Sequence, residues 1–189
     1  MNIVIIGSGN TAVVLSRKMK AAGDNILQVL GRNKTAAAAL AAQVDAEFSS
    51  EWCKINKNAD VYIIAVSDSA IPEVAKALKL PSKTIVHTAG AVSINVLEPY
   101  ASHYGVFYPL QTLSKSSGQL PEIPVMIDAS DDATLQMLDN LAKTISVHVQ
   151  KANDEDRARM HLAAVFCNNF TNHLYALAEQ FCKQEGIQF

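Results

Sequence analysis

The sequence predicts an α/β protein whose core is a doubly wound, mostly parallel sheet, with one long helix after it. Short apolar runs alternate with helical stretches up to about residue 150. Such alternation is typical of strands joined by right-handed crossovers, with helices on both faces of the sheet. A glycine-rich turn follows the first apolar run without a break. The segment after residue 152 no longer alternates and has the pattern of a single helix.

The elements are predicted in chain order from the length and the periodicity of the apolar runs. Strands are expected at residues 2–6, 26–30, 60–66, 84–87, 105–107, 124–128 and 145–149. Helices are expected at residues 11–22, 34–44, 70–78, 131–143 and 154–185. No repeat or long linker interrupts this order, so residues 1–152 are predicted to form one Rossmann domain. Residues 153–189 are predicted to be the first long helix of an all-α C-terminal domain.

The turn after the first strand has the spacing of a dinucleotide-binding site. Its sequence is Gly7-Ser8-Gly9-Asn10-Thr11-Ala12. Gly7 allows the tight bend from strand to helix, Gly9 lets the backbone approach a pyrophosphate, and Ala12 is small enough for close packing of helix on strand. The N–H groups at the start of the helix stabilise the negative phosphates. A purely structural turn is the alternative, and the position directly after a first buried strand favours cofactor binding.

The end of the second strand predicts which dinucleotide binds. Sites selective for NAD usually carry Asp or Glu there, about 20 residues after the turn, to bind the ribose 2′-OH. Here that position is Gly31, and Arg32, Asn33 and Lys34 follow it. A guanidinium can bind the 2′-phosphate of NADP, and no carboxylate repels that phosphate. NADP is therefore the predicted cofactor, with the alternative that Arg32 and Lys34 only solvate the start of the next helix.

Composition and charge argue against several other classes of protein. The 189 residues carry a net charge of −2 and no cluster of Lys or Arg, which argues against nucleic acid or an acidic membrane surface as a partner. The three cysteines are widely spaced and form no CxxC pair, so neither a disulfide framework nor a metal site is indicated. No stretch resembles a signal peptide or has the roughly 20 apolar residues of a membrane span. A cytoplasmic protein that acts on a small molecule is expected.

The predicted C-terminal helix has two distinct sides. Asn153 or Asp154 is its predicted cap and Gly186 its predicted stop. The apolar side consists of Phe166, Phe170, Leu174, Leu177 and Phe181, and the polar side of Arg157, His161, Asn168, Asn172, Tyr175 and Glu179. A lone helix cannot bury such an aromatic stripe. We therefore expect that a second subunit of a homodimer, or C-terminal sequence beyond Phe189, covers the apolar side.

Six motifs, in this order along the chain, resemble one known family. They are the glycine-rich turn, Gly31-Arg32-Asn33, Ala65-Val66-Ser67-Asp68, His87-Thr88-Ala89-Gly90-Ala91, Phe107-Tyr108-Pro109-Leu110-Gln111-Thr112 and His161-Leu162-Ala163-Ala164-Val165. The whole chain is similar to the Rossmann-like NADP oxidoreductases that carry a helical C-terminal domain of unknown function. These are distant relatives of pyrroline-5-carboxylate reductase, the 3-hydroxyacid dehydrogenases and the deazaflavin-dependent NADP reductases. The resemblance implies NADP binding and several further helices, so a truncated substrate domain is expected here.

Two positions depart from the patterns of these relatives. Tyr108-Pro109 stands where relatives often have His-Pro, so the role of a histidine at that place is not expected. The 3-hydroxyacid dehydrogenases carry a catalytic Lys three residues before an Asn-Asn pair. Here the pair is Asn168-Asn169 and the place of the lysine is Val165, whose apolar side chain cannot exchange a proton with a substrate. His161 is then the nearest titratable group on the polar side of the helix.

The candidate site residues are expected at the carboxyl ends of the strands, outside which doubly wound sheets bind their ligands, and on the long helix. The predicted cofactor-binding residues are Gly7, Ser8, Gly9, Asn10, Thr11, Ala12, Gly31, Arg32, Asn33, Val66, Ser67 and Gly90. The predicted catalytic residues are His87, His161, Asn168 and Asn172. The alternatives are a structural histidine bonded to a backbone carbonyl for His87 and a solvated helix face for the others. Lys115 is either an anion clamp or an ordinary loop lysine.

Together these residues predict an oxidoreductase that moves hydride between NADP(H) and a small carbonyl or imine compound. The cofactor would supply the hydride, and the protein would bind it and orient the substrate. The alternative is an NADP-binding regulatory or assembly protein without turnover, because the sequence shows no strong acid–base pair.

Overall fold

The computed structural model describes residues 1–114 and 122–189, and strands from this part of the chain form an eight-stranded sheet. The strands are β1 (Asn2–Ile6), β2 (Asn25–Leu30), β3 (Glu47–Ser49), β4 (Val61–Ile64), β5 (Thr84–His87), β6 (His103–Pro109), β7 (Val125–Ala129) and β8 (Val149–Lys151). Their order across the sheet is β3-β2-β1-β4-β5-β6-β7-β8. β6 pairs antiparallel with β7, and all other neighbouring strands pair in parallel. The predicted doubly wound, mostly parallel sheet is confirmed.

The helices begin and end close to the predicted residues. They are α1 (Asn10–Ala21), α2 (Lys34–Gln43), α3 (Ile71–Leu78), α4 (Asp132–Ile145), α5 (Asp154–Ala164) and α6 (Thr171–Gln184). The side chains of Asn33, Asp131 and Asn153 cap α2, α4 and α5, each by accepting a hydrogen bond from the backbone N–H three residues later. Such a cap stabilises a helix by about 1 kcal/mol. Asn153 is therefore the cap of the C-terminal helix, and Gly186, with φ +69°, follows its end.

Apolar clusters cover both faces of the sheet, because side chains of each strand point alternately to the two faces. In β1, Ile3 joins a cluster to which α1, α2 and α4 contribute. Val4 joins a second cluster to which α3 contributes. Both residues are fully buried. This arrangement leaves the carboxyl ends of β1, β2, β4, β5 and β6 together at one edge of the sheet.

Two strands differ most from the predictions. β3 was not predicted, because this three-residue strand lies at the sheet edge with its first two residues exposed and so has no alternating apolar pattern. The last strand is Val149–Lys151 and not residues 145–149, which corrects that prediction. The physical reason is that α4 continues to Ile145. Leu138, Leu141 and Ile145 follow the spacing of a helix, and all three are buried.

The C-terminal segment is helical from residue 154 to residue 184, with a π-helical stretch, Val165–Phe170, between α5 and α6. α5 buries Arg157, and α6 buries no residue. The five side chains of the predicted apolar side are between 49% and 64% exposed in the single chain. No helix in the described ranges is long and apolar enough to cross a membrane.

Candidate functional site

The glycine-rich turn joins the carboxyl end of β1 to the start of α1. The backbone N–H of Gly7 donates to the Leu30 carbonyl oxygen at 2.8 Å, which holds the turn against β2. Gly7 has φ +127°, and a Cβ atom there would lie 2.1 Å from the Ala65 carbonyl oxygen, so only glycine fits. Gly9 has ordinary extended backbone angles and no atom within 4 Å of a Cβ position. Its missing side chain therefore keeps space open outside the protein core.

This turn forms one wall of a cavity of about 380 Å³ at the carboxyl ends of β1, β2 and β4. No side chain caps α1 at its N-terminus, and the N–H groups at such a helix start are well suited to bind phosphate. The lining residues are Ile6, Gly7, Ser8, Gly9, Asn10, Thr11, Leu30, Gly31, Arg32, Asn33, Trp52, Ala65, Val66, Ser67 and Val74. The residues present therefore fit the pyrophosphate of a dinucleotide.

All but two of the predicted cofactor-binding residues line this first cavity. Ala12 is fully buried and packs in the core, where its small side chain lets α1 approach the sheet. Gly90 does not line the cavity and lies in the loop after β5. Trp52 and Val74 also line the cavity. The sequence reasoning missed both, because they come from a 3₁₀ turn and from α3, outside the motif.

Arg32 is the only charged side chain among the described residues that line the first cavity. It is exposed, and its guanidinium makes no hydrogen bond or ion pair with another described residue, so its donors can reach a ligand. The neighbouring Asn33 also has a structural role, since its side chain accepts a hydrogen bond from the Ala36 N–H at 3.0 Å. Lys34 does not line the cavity.

A second cavity, of about 390 Å³, lies between the end of β6 and the C-terminal helix. The lining residues are Tyr108, Leu110, Gln111, Thr112, His161, Ala164, Val165, Cys167, Asn168 and Asn169. The Tyr108 hydroxyl and His161 Nδ1 form a hydrogen bond of 2.8 Å. The two rings meet edge to face, with their centroids 5.9 Å apart. A histidine thus lies in this cavity among neutral polar groups.

Gly90 lies directly beside this pair. A Cβ atom at residue 90 would lie 2.7 Å from Tyr108 Cζ and 2.9 Å from His161 Nδ1. In the sheet, β5 lies between β4, which leads into the first cavity, and β6, which leads into the second. Burial and the negative charge of Asp68, which follows β4, raise the pKa of Tyr108 above its usual value. The two cavities therefore both lie at the carboxyl ends of the parallel strands, on either side of β5.

The predicted amide side chains connect the C-terminal helix to the loop after β6. Asn168 Nδ2 donates a hydrogen bond to Thr112 Oγ1. Asn168 Oδ1 accepts one from Asn172 Nδ2 at 2.8 Å. Asn168 lines the second cavity, whereas Asn172 is exposed and does not line it. The structure therefore brings His161 and Asn168 together at one cavity, and Asn172 contacts that site through Asn168.

His87, the fourth predicted catalytic residue, lies apart from the other three. Its side chain is fully buried and lines neither cavity. The Ala89 N–H donates to its Nδ1 at 3.2 Å, which fixes the ring against the loop after β5. Its Nε2 has no hydrogen-bond partner among the described residues. Burial, and next the charge of Arg157, lower the pKa of His87 to about 4, so the ring is neutral at pH 7.

Arg157, which was predicted to share the polar side of the helix with His161, packs inside the protein. It is 1% exposed, and its guanidinium donates to the carbonyl oxygens of Val92 and Ala152 at 2.8 and 3.2 Å and to Asp154 at 2.5 Å. Burial by itself raises the pKa of Asp154, but the hydrogen bonds that this carboxyl accepts and the charge of Arg157 lower it overall. These contacts hold α5 against the loop after β5. His161, one turn further along, is thereby held at the second cavity.

The π-helical stretch Val165–Phe170 supplies four lining residues of the second cavity. Such stretches are rare and frequently lie at functional sites. A π turn contains more residues than an α turn, so the residues after it do not keep the angular spacing that the sequence prediction assumed. Tyr175 and Glu179, which were predicted to share one line with His161, are exposed and line neither cavity. Their place on a common line with His161 stays a prediction.

The sequence reasoning also missed Tyr108 and Thr112 as site residues. Tyr108 lies next to last in β6, at the edge of the sheet where the other site residues lie, and this strand-end position was the available signal. Lys115, the candidate anion clamp, lies outside the described residues. Within the described ranges, no group of three or more His, Cys, Asp or Glu side chains could hold a metal ion.

Two protein-family models match the chain. Residues 2–90 match the family described as NADP oxidoreductase, coenzyme F420-dependent. Residues 123–189 match the domain of unknown function DUF2520. The first match contains the glycine-rich turn and Arg32, and the second contains β7, α4, β8 and the C-terminal helix. No curated protein sequence matches the chain.

Several solved structures share the fold. A candidate NADP oxidoreductase from Bacteroides fragilis is 40% identical over 98% of this chain and 73% of that one, with a TM-score of 0.92. A pyrroline-5-carboxylate reductase from Coxiella burnetii is 18% identical over 99% and 72%, with a TM-score of 0.70. An imine reductase from Myxococcus stipitatus, solved in complex with NADP⁺, is 14% identical over 99% and 68%, with a TM-score of 0.71.

The last two similarities show a shared fold, whereas 40% identity over nearly the whole chain shows common membership of a family. The same family was expected from the six motifs, and that expectation is confirmed. The chain therefore belongs to the oxidoreductase family in which a Rossmann-like NADP oxidoreductase domain is followed by a DUF2520 domain.

Proposed function

We propose that this protein is an NADP-dependent reductase that transfers hydride between NADP(H) and a small carbonyl or imine compound. The main support for the proposal is the position of the two cavities, which both lie at the carboxyl ends of the parallel strands, on either side of β5. The first cavity contains the glycine-rich turn, which suits a phosphate, and the exposed guanidinium of Arg32. The second offers the hydrogen-bonded pair Tyr108 and His161. One site for a dinucleotide beside one site for a small polar molecule is what hydride transfer requires.

The preference for NADP over NAD rests on Arg32. Its guanidinium is exposed, lines the first cavity and has no partner among the described residues. A 2′-phosphate can accept charge-assisted hydrogen bonds from it, and the described lining residues include no carboxylate that would bind a ribose 2′-OH in its place. These observations support the prediction that the cofactor is NADP.

The second cavity is proposed to bind the substrate. The cofactor supplies the hydride when it is bound, and this chain supplies His161 and Asn168 to orient the reacting molecule, with Asn172 holding Asn168 in place. His87 is left out of this group because it is buried away from both cavities. The shared fold of an imine reductase that binds NADP⁺ supports a substrate with a C=O or C=N bond.

Substitution of Arg32 tests the cofactor assignment. We expect the wild-type protein to bind NADPH at least about tenfold more tightly than NADH, and Arg32→Ala to lose about 1.5–3 kcal/mol of NADPH binding with little change for NADH. Trp52, the only tryptophan of the chain, lines the cavity, so its fluorescence reports binding. Lys34→Ala removes a neighbouring cation that does not line the cavity and serves as the control. Equal affinities for the two dinucleotides would contradict the proposal.

A screen for NADPH oxidation with carbonyl and imine compounds tests the reaction itself. We expect turnover with at least one of the two classes. Tight NADPH binding without turnover of either class would favour the alternative of a regulatory or assembly protein.

We further propose that residues 1–152 bind the cofactor and that residues 153–189 belong to a domain for substrate binding and dimer formation. The exposed apolar side of the C-terminal helix supports a symmetric homodimer, since its five large apolar side chains left in water would favour aggregation. All three cysteines are free, which supports the cytoplasm, a reducing compartment, as the location.

A further inference from the structure

The hydrogen bond between Tyr108 and His161 can form in two ways, and each gives the second cavity a different chemistry. The Tyr108 hydroxyl can donate to Nδ1, which leaves the histidine proton on Nε2. The histidine can instead carry its proton on Nδ1 and donate it to the tyrosine oxygen, which leaves Nε2 as an acceptor. The surroundings of the two side chains decide between these forms.

Burial of Tyr108 favours the form in which the tyrosine donates. Tyr108 is 8% exposed, and its hydroxyl has no other hydrogen-bond partner among the described residues. If the histidine donated, the O–H of this largely buried side chain would have no acceptor among the described residues, and a buried donor without an acceptor costs about 1–3 kcal/mol. Burial and the charge of Asp68 also raise the pKa of this hydroxyl, so the proton stays on the tyrosine.

The second nitrogen of His161 is then the one available to a ligand. The hydrogen bond to Tyr108 uses Nδ1, and Gly90 approaches that same side of the ring. His161 makes no other hydrogen bond within the described residues, and it lines the second cavity. In the form in which Tyr108 donates, Nε2 carries the proton of the ring, and it is the nitrogen that has no partner among the described residues.

We propose that Tyr108 is a positioning residue, which donates its hydroxyl to His161 Nδ1 so that His161 presents Nε2–H to a carbonyl oxygen in the second cavity. This inference rests on the proposed reductase function and narrows its substrate class to carbonyl compounds. Hydride would move with its electron pair from NADPH to the carbonyl carbon while the C=O π pair moves to the oxygen, and the Nε2–H donor would stabilise the negative charge that develops there. A proton from solvent water then gives the alcohol, with NADP⁺ as the other product. A protonated imine carries an N–H donor and a positive charge, so Nε2–H cannot accept from it.

Nitrogen NMR of histidine-labelled protein tests the tautomer without any need for turnover. In the wild type we expect His161 to carry its proton on Nε2 and to have an unprotonated, hydrogen-bonded Nδ1, with His161→Gln used to assign the signals. Tyr108→Phe should move the Nδ1 signal of His161 towards that of free imidazole. Tyr62→Phe removes another hydroxyl hydrogen bond, 2.8 Å to the Asn56 carbonyl oxygen, and should leave the His161 signals unchanged. A proton on Nδ1, or no response to Tyr108→Phe, overturns the proposal.

Kinetics test the consequence for the reaction. For a reduced carbonyl substrate, Tyr108→Phe should lower kcat roughly 10- to 100-fold because the donor is no longer held in place, while the Kd for NADPH, whose cavity does not include Tyr108, stays the same. An unchanged kcat overturns the positioning role. Reduction of imines but not of carbonyl compounds overturns the substrate class and leaves the proposed reductase function intact. Absence of NADPH binding defeats the proposed function, and the NMR result stands separately from it.

Discussion

Substitutions of the two glycines in the turn after β1 should separate folding from cofactor binding. Gly7→Ala places a Cβ atom 2.1 Å from the Ala65 carbonyl oxygen, more than 1 Å inside ordinary contact. That oxygen cannot move freely, because the Ala65 N–H donates to the Ile6 carbonyl oxygen at 2.7 Å and so joins β4 to β1. The φ of +127° adds strain for any residue with a side chain.

The two effects together give the magnitude for Gly7→Ala. Overpacking against the backbone costs about 1–3 kcal/mol, and the unfavourable φ costs a further ~1–3 kcal/mol. We therefore expect the free energy of unfolding to fall by about 2–6 kcal/mol, which is a large part of the total of about 5–15 kcal/mol for a domain.

Gly9→Val should leave the free energy of unfolding almost unchanged but abolish NADPH binding. Gly9 has φ −79° and nothing within 4 Å of its Cβ position, so the free energy of unfolding should change by about 1 kcal/mol or less. The valine side chain would occupy the space that a pyrophosphate needs, and NADPH binding should be lost.

Urea unfolding followed by circular dichroism, together with NADPH titration of Trp52 fluorescence, measures both quantities on the same samples. Wild-type affinity for NADPH in folded Gly9→Val would refute the assignment of the turn as a phosphate site. Wild-type stability of Gly7→Ala would refute the argument from the Ala65 carbonyl contact.

Two further outcomes are expected for His87 and for the C-terminal helix. The pKa of His87 is lowered from 6.5 to about 4 in the folded protein, so on acidification His87 is protonated in the unfolded chain before it is protonated in the folded one. The contribution of the neutral His87 ring to stability is therefore complete above pH 6.5 and is lost as the pH falls to about 4. Urea unfolding at pH 7 and pH 4 should show that the wild type loses roughly 3 kcal/mol more than His87→Gln over this range, and equal losses would contradict a buried neutral ring. In analytical sedimentation, the wild type should be a dimer, and Phe170→Asp should dissociate it. Val147→Asp is the control, because Val147 is an apolar residue that is 80% exposed and lies outside the C-terminal helix, and this variant should stay dimeric. A stable wild-type monomer would rule out the dimer.

Local patterns in the sequence were sufficient to predict most of the fold. β5 lies at Thr84–His87 as predicted, because a short run of β-branched residues between turns has few alternatives to a buried strand. The glycine-rich turn was recognisable because its conformation depends on the residues within it and on the strand just before it. Arg32 could be placed at the first cavity for the same reason, since the end of β2 always lies beside the end of β1 in this topology.

The predicted and observed structures differ at β8 and β3, where the local sequence pattern does not distinguish a strand from the alternatives. Residues 145–149 could extend α4 or begin a strand, and burial of Ile145 against the core decided for the helix. β3 depends on pairing with β2 and not on its own three residues. In both cases the energy that decides comes from contacts with other elements, which propensity alone does not contain.

The sequence by itself determined the doubly wound sheet, the position of the dinucleotide turn and the cation beside it, because each depends on residues that are neighbours along the chain. Only the tertiary structure decided the content of the second cavity. Tyr108 and His161 are 53 residues apart in sequence, and Arg157 reaches a carbonyl oxygen 65 residues away. Such contacts depend on how the C-terminal helix packs against the sheet domain. They depend also on the π-helical stretch, which changes the angular positions of the side chains that follow it. A helical projection has no information about either, since burial arises only when distant segments pack together.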